Sequence, residues 1–131
     1  MEGSAQSDSL KARLERAIVF KNEGKYDEAL TELRAILEAD PGNIEARVNL
    51  GLVLCFTGDF DASLDALKEA ASEHPDYLLA RLNLAKTYAM LGMYEEAKGE
   101  FEAVLRLSPE HKEAKKQLSY FESLEVGDSE G

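Results

Sequence analysis

The sequence predicts an all-α protein, a solenoid of helical hairpins stacked in register. Three observations predict it. The only prolines, Pro41, Pro75 and Pro109, lie 34 residues apart. Gly24, Gly58 and Gly92 keep that period, and so do the aromatics Tyr26, Phe60 and Tyr94. A period of about 34 residues marks a helix–turn–helix unit that buries its apolar face only against its neighbours. Aligned on the prolines, the units are 10–43, 44–77 and 78–111, with a remainder from Lys112.

Each unit opens with a helix A, predicted over 10–23, 44–57 and 78–91. In the second unit Leu50, Gly51 and Leu54 share one face, and Val48, Leu52, Cys55 and Phe56 another. A helix that is apolar on more than one face is sandwiched between neighbours. The periodic glycine ends helix A, because only glycine enters the left-handed conformation at little steric cost. Helix B starts at once with Tyr26, Phe60 or Tyr94, which are expected to plug the gap between the helices. Acidic residues in its first turn suit the helix dipole. Ala29, Ser63 and Ala97 are small where helices A and B should cross closely, and Leu33, Leu67 and Phe101 follow four residues on, on the same face. The proline then ends the unit.

The remainder continues the A pattern. Ala12-Arg13, Ala46-Arg47 and Ala80-Arg81 are followed by Ala114-Lys115, and Leu50 and Leu84 by Leu118. Lys112 to about Leu124 therefore reads as a capping helix, with one wet face and no B partner. The ends are small and polar, and are expected to be disordered tails over 1–9 and 125–131, leaving a domain over 10–124.

The units resemble tetratricopeptide repeats. The resemblance rests on Leu50-Gly51, Leu54, Gly58, Phe60, Leu67, Ala70 and Pro75 in the second unit, and on Leu84-Ala85, Tyr88, Gly92, Tyr94, Ala97, Phe101 and Pro109 in the third. It covers about residues 10–124 and implies an α-solenoid, a right-handed superhelix with A helices lining a concave groove. The chain departs from the family in carrying Arg13, Arg47 and Arg81 where a bulky aromatic is common, and Arg16 where leucine is usual. Arginine stems can cover apolar surface while their heads stay wet.

Charge divides along the implied faces. The A helices hold seven basic residues against three acidic, and the B helices five against fourteen. The chain's net charge of −11 thus belongs to the outer face and tails. That balance excludes non-specific nucleic-acid binding, which needs a basic footprint, and attraction to anionic membranes. The longest apolar run, around Val48 to Phe56, is far below the ~20 residues that span a bilayer. The single cysteine, Cys55, forms no intrachain disulfide and fits a cytoplasmic protein.

By repeat geometry the groove-facing residues are Leu14, Ile18 and Lys21 in the first unit, Val48, Asn49, Leu52 and Phe56 in the second, and Leu82, Asn83, Lys86 and Met90 in the third. Lys116, Gln117 and Tyr120 would close its end. Asn49 and Asn83 occupy equivalent positions, and a side-chain amide pairs with any peptide backbone. The expected partner is a protein or peptide with apolar anchors and acidic flanks, and no cofactor is implied. The other reading is structural, a homo-oligomer formed through the groove or the open repeat ends. The family also clamps terminal carboxylates with lysine, arginine and asparagine. This chain has Leu14, Ile18, Leu79 and Asn83 where most of those groups would sit, and only Asn49 matches. Recognition of chaperone tails by that clamp is therefore not expected.

Nothing points to catalysis. His74 and His111 lie in separate inter-repeat loops without metal-ligand spacing. Asp27/Glu28 and Glu95/Glu96 are first-turn residues, without the inward convergence that paired-carboxylate chemistry requires.

Overall fold

The computed structural model describes the backbone of residues 2–130 and the side chains of 9–125. Seven helices and no strand occur among the described residues: α1 (Glu2–Asn22), α2 (Tyr26–Ala39), α3 (Ile44–Phe56), α4 (Phe60–Glu73), α5 (Leu78–Met90), α6 (Tyr94–Leu107) and α7 (Lys112–Glu130). The predicted A and B helices appear in order, with α1 starting well before its expected position at 10. The tails expected over 1–9 and 125–131 lie almost wholly outside the described side chains, although α1 begins at Glu2 and α7 runs to Glu130. Two compact units are present, Met1–Ala66 and Leu67–Gly131, dividing within α4.

The hairpin turns follow from the glycines. Gly24, Gly58 and Gly92 have φ of 78, 87 and 78°. The residue after each donates its N–H back across the helix end: Lys25 to the Phe20 carbonyl, Asp59 to Leu54 and Met93 to Tyr88, at 2.8–2.9 Å. This wrap satisfies carbonyls that the helix terminus would otherwise leave open.

In the first unit, α1, α2 and α3 enclose a core of Leu14, Ala17, Ala29, Leu33, Ile36, Ala46 and Val53. The predicted close crossing is visible between α3 and the start of α4. Buried Ser63 donates its hydroxyl to the Gly51 carbonyl at 2.6 Å, two small residues letting the backbones approach. In the second unit, Leu84, Ala85 and Tyr88 of α5 and Ala97, Phe101 and Val104 of α6 are buried, as are Ala114 and Phe121 of α7. Phe101 and Phe121 meet with ring centroids 5.9 Å apart.

Tyr26 packs on the core that α1 and α2 share with α3, and two of the periodic aromatics also reach the next helix. Tyr26 packs on Phe56 of α3, and Tyr94 on Phe121 of α7, at 5.7 and 5.6 Å. Each therefore seals its B helix against the following A helix, and Tyr94 stays half exposed.

The arginines that replace the family aromatic are tied down. Arg81 pairs with Glu100 of α6 at 3.1 Å and donates its Nε to the Pro75 carbonyl. Arg13 pairs with Glu32 at 3.4 Å, which Arg16 also reaches. The second repeat has Ala66 at the place of those glutamates, and Arg47 donates to the Pro41 carbonyl at 2.6 Å. The prolines themselves sit in the loops, two residues beyond α2, α4 and α6.

Candidate binding faces

The candidate residues come from the A helices, and the two units are taken separately. In the first unit, Lys21 of α1 donates its ammonium to Asn49 Oδ1 of α3 at 2.8 Å. Asn49 in turn donates from Nδ2 to the Glu45 carbonyl one turn back, also at 2.8 Å. Burial pushes the Lys21 pKa below the usual lysine value, because the charged form loses hydration. Ile18, packed against the core, and Leu52 are half buried, while Phe56 is 56 % exposed.

In the second unit, Asn83 of α5 donates Nδ2 to the Leu79 carbonyl at 2.8 Å. Its backbone carbonyl accepts the Thr87 hydroxyl. Its Oδ1 and second amide hydrogen have no partner among the described residues. Lys86 pairs with Glu113 of α7 at 3.2 Å, and Met90 is 57 % exposed. Lys116, Gln117 and Tyr120 line a shallow hollow of about 290 Å³.

Three expected groove residues need correction. Leu14, Val48 and Leu82 hold equivalent positions and are buried, at 9, 4 and 7 % exposure. Leu14 belongs to the first unit's core. None of the three is presented to a ligand. Leu50, Leu54, Leu84 and Tyr88 do not fill the packing face alone, because a sandwiched A helix packs over a wider arc. The reading also missed Glu113, whose carboxylate partly neutralises Lys86, although Glu113 lies in the polar run assigned to the capping helix.

The residues that looked chemical have structural roles or none that is visible. His111 caps α7, its Nδ1 accepting the Ala114 N–H at 3.2 Å. Asn43 caps α3 in the same way through Ala46. His74 is exposed in the loop after α4. Among the described residues, no three His, Cys, Asp or Glu side chains come together in a way that could hold a metal. No helix among them is long and apolar enough to cross a membrane.

Paired helices closed by left-handed glycine wraps, repeated at one period and ended by a polar helix, define a helical repeat protein. The chain belongs to the tetratricopeptide repeat family, whose model matches residues 22–64 and 57–119. Its fold is the all-α tetratricopeptide-repeat solenoid. Among solved structures it is similar to the first tetratricopeptide domain of Spaghetti (RPAP3) bound to the HSP90 peptide SRMEEVD. That likeness has 25 % identity and a TM-score of 0.83, covering 92 % of this chain and 95 % of the other. The second such domain of human RPAP3, in complex with the HSP70 peptide SGPTIEEVD, matches at 26 % identity and a TM-score of 0.76, over 84 and 92 % of the two chains. The Yersinia enterocolitica type III secretion translocator chaperone SycD shares the fold at 18 % identity and a TM-score of 0.83, over 90 and 95 %. No curated protein matches by sequence.

Proposed function

We propose that this chain is a non-catalytic, cytoplasmic protein-interaction module, an adaptor or chaperone-like protein that holds peptide segments of a partner. The observation that carries the reading is the Asn83 amide. It is fixed by its bond to Leu79, half buried, and keeps one donor and one acceptor for a peptide backbone. Lys86 and Met90 on the same helix add charge and an apolar contact. In the first unit, Asn49 would receive a backbone once Lys21 lets go of its oxygen, freeing an ammonium for an acidic flank. Two solved relatives at 25 and 26 % identity hold peptides, which supports peptide binding as the mode.

Both of those peptides end in Glu-Glu-Val-Asp, yet only Asn49 matches the carboxylate clamp here, and Leu14, Ile18, Leu79 and Asn83 stand at its other positions. We therefore infer ligands with acidic flanks and apolar anchors, read along the backbone and not by a free C-terminus. No cofactor and no nucleic acid enter this reading.

The test is an array of eight- to twelve-residue peptides with aliphatic or aromatic anchors between acidic residues. Binders are then titrated against Asn49→Ala and Asn83→Ala. Losing two backbone hydrogen bonds at about 1 kcal/mol each weakens binding by roughly tenfold or more. Unchanged affinity with intact folding would sink the amide reading. SRMEEVD and its C-terminally amidated twin should bind alike; a strong preference for the free carboxylate would restore the clamp.

The alternative, a homo-oligomer, rests on one observation. Ala46 and Val53 on α3 are fully buried within the first unit, but the equivalent Ala12 and Val19 on α1 are exposed, Val19 by 51 %. Sedimentation equilibrium decides it. A monomer at all concentrations, unchanged by Val19→Glu, removes this reading.

A further inference from the structure

The second unit holds a cleft of about 410 Å³ between the start of α6 and the last described turns of α7. Its walls are aromatic. Tyr94 and Tyr120 each meet the buried Phe121 in a tilted contact, with centroids 5.6 and 6.0 Å apart, and Leu124 completes the apolar lining. Both tyrosines stay about half exposed, at 51 and 57 %. Both line the cleft while remaining partly accessible, in contrast to the fully buried Phe101.

The polar groups of the lining are unbalanced. Lys98 bridges to Glu125 at 3.1 Å, which ties α6 to α7 and accounts for the one cation. Glu95 lines the cleft too, and acts on Lys98 through its charge without a bond at ion-pair distance. Two carboxylates thus face one ammonium. The Lys98 pKa is raised, first by its hydrogen bond to Glu125, then by the charges of Glu125, Glu95 and Glu102, so the field here is negative. Aromatic faces beside an unpaired carboxylate suit a cation. A guanidinium fits better than an ammonium, because it is planar, stacks on rings and offers a donor fork to a carboxylate.

We propose that this cleft binds an arginine side chain presented by a partner protein, the guanidinium stacked on the tyrosine faces and paired with Glu95. The occupant follows from charge complementarity. A carboxylate or phosphate would meet the negative field, and an aliphatic anchor alone would leave Glu95 unused. The lining includes neither Asn49 nor Asn83, so the proposal does not depend on the peptide reading given for them.

The test uses the full chain and the blocked peptide acetyl-Ala-Ala-Arg-Ala-Ala-amide, with twins carrying lysine, glutamate or citrulline, the neutral isostere of arginine. Binding is followed by nuclear magnetic resonance of the backbone amides and tyrosine rings. The arginine peptide should shift the signals of Tyr94, Tyr120 and Leu124 saturably. The citrulline peptide should bind about tenfold more weakly, the loss expected for one charge-assisted pair. Glu95→Gln and Tyr120→Ala change surface groups and should weaken the arginine peptide similarly, with unchanged far-ultraviolet circular dichroism. Equal binding of the citrulline or glutamate twin overturns the proposal, as do shifts confined to other helices or full affinity in both variants. Shifts at these tyrosines that depend on protein concentration alone would assign the cleft to a second copy and overturn it too.

Discussion

Two glycines of α6 and its turn offer a matched pair of substitutions with opposite expected signs. Gly92 has φ of 78°, and a Cβ added there meets nothing within 4 Å. Gly99 lies inside α6, is exposed, and would also receive a Cβ into open space. Contacts therefore cancel from the comparison and backbone conformation alone remains. Alanine at Gly92 must adopt the left-handed conformation, at about 1–2 kcal/mol. The stiffer unfolded chain returns about 0.4–1 kcal/mol, leaving a net loss of roughly 0.5–1 kcal/mol. Alanine at Gly99 gains about 0.8–1.0 kcal/mol, because glycine is the poorer helix former by that amount. The double variant should lie near the parent. Urea unfolding followed by circular dichroism measures all three, with unchanged m-values expected because no surface is newly exposed. A shift of about 1 kcal/mol corresponds to several degrees in Tm for a chain of this size. Neutral Gly92→Ala would mean that the turn relaxes to another conformation without cost. Destabilising Gly99→Ala would mean that this surface of α6 is not open. Either result refutes the reasoning.

Other outcomes follow from named contacts. His111→Ala should cost about 0.5–1 kcal/mol through loss of the α7 cap, while His111→Asn retains an acceptor and should match the parent in thermal unfolding. A double-mutant cycle on Arg81→Ala and Glu100→Gln should give a coupling of about 0.5–1 kcal/mol, the range for a partly exposed pair. In high-pH titrations by nuclear magnetic resonance, Lys98 should lose its proton above the ordinary value of 10.5 and Lys21 below it. The signs on stability differ. The Lys98 pair stabilises the fold below pH 10.5, and that contribution disappears as pH rises through the raised folded value. Burial of charged Lys21 opposes folding at neutral pH, and the opposition is relieved between its lowered folded value and 10.5. Glu125→Gln should remove the largest part of the first effect, leaving the smaller contributions of Glu95 and Glu102, and should not change the second.

The hairpins, their order and their turns were legible because each depends on local chemistry. Glycine at the left-handed position and a small residue at the crossing are demanded by backbone geometry, and they repeat every 34 residues. The crossing even revealed itself in a variant, Ser63 standing where the other units have alanine and using its hydroxyl on Gly51. The candidate faces were less legible. Leu14, Val48 and Leu82 recur in register whether they point at a ligand or at a neighbouring helix, so periodicity cannot separate the two. Asn49 and Asn83 look equivalent in sequence. Only the reach of Lys21 from α1 distinguishes them, since it occupies one amide oxygen and leaves the other open. The arginine cleft was hidden for a related reason. Tyr94 reads as an interior plug, and periodicity does not show that it also meets Phe121 of α7.

The arginine hooks on proline carbonyls carry a consequence for chain length. Arg47 and Arg81 each reach back six residues, from the first turn of a helix to the loop before it. That span tolerates little slack. A residue inserted between Pro75 and Leu78 would carry the carbonyl out of reach and strip Arg81 of one partner while Glu100 still holds it. At the glycine turns the side-chain contacts have a shorter reach: Thr57 donates its hydroxyl to the Leu54 carbonyl, and Lys25 pairs with Glu23. Where new sequence is to be spliced into this protein, the tips of the hairpins are the ports, and the proline junctions are the seams to leave uncut.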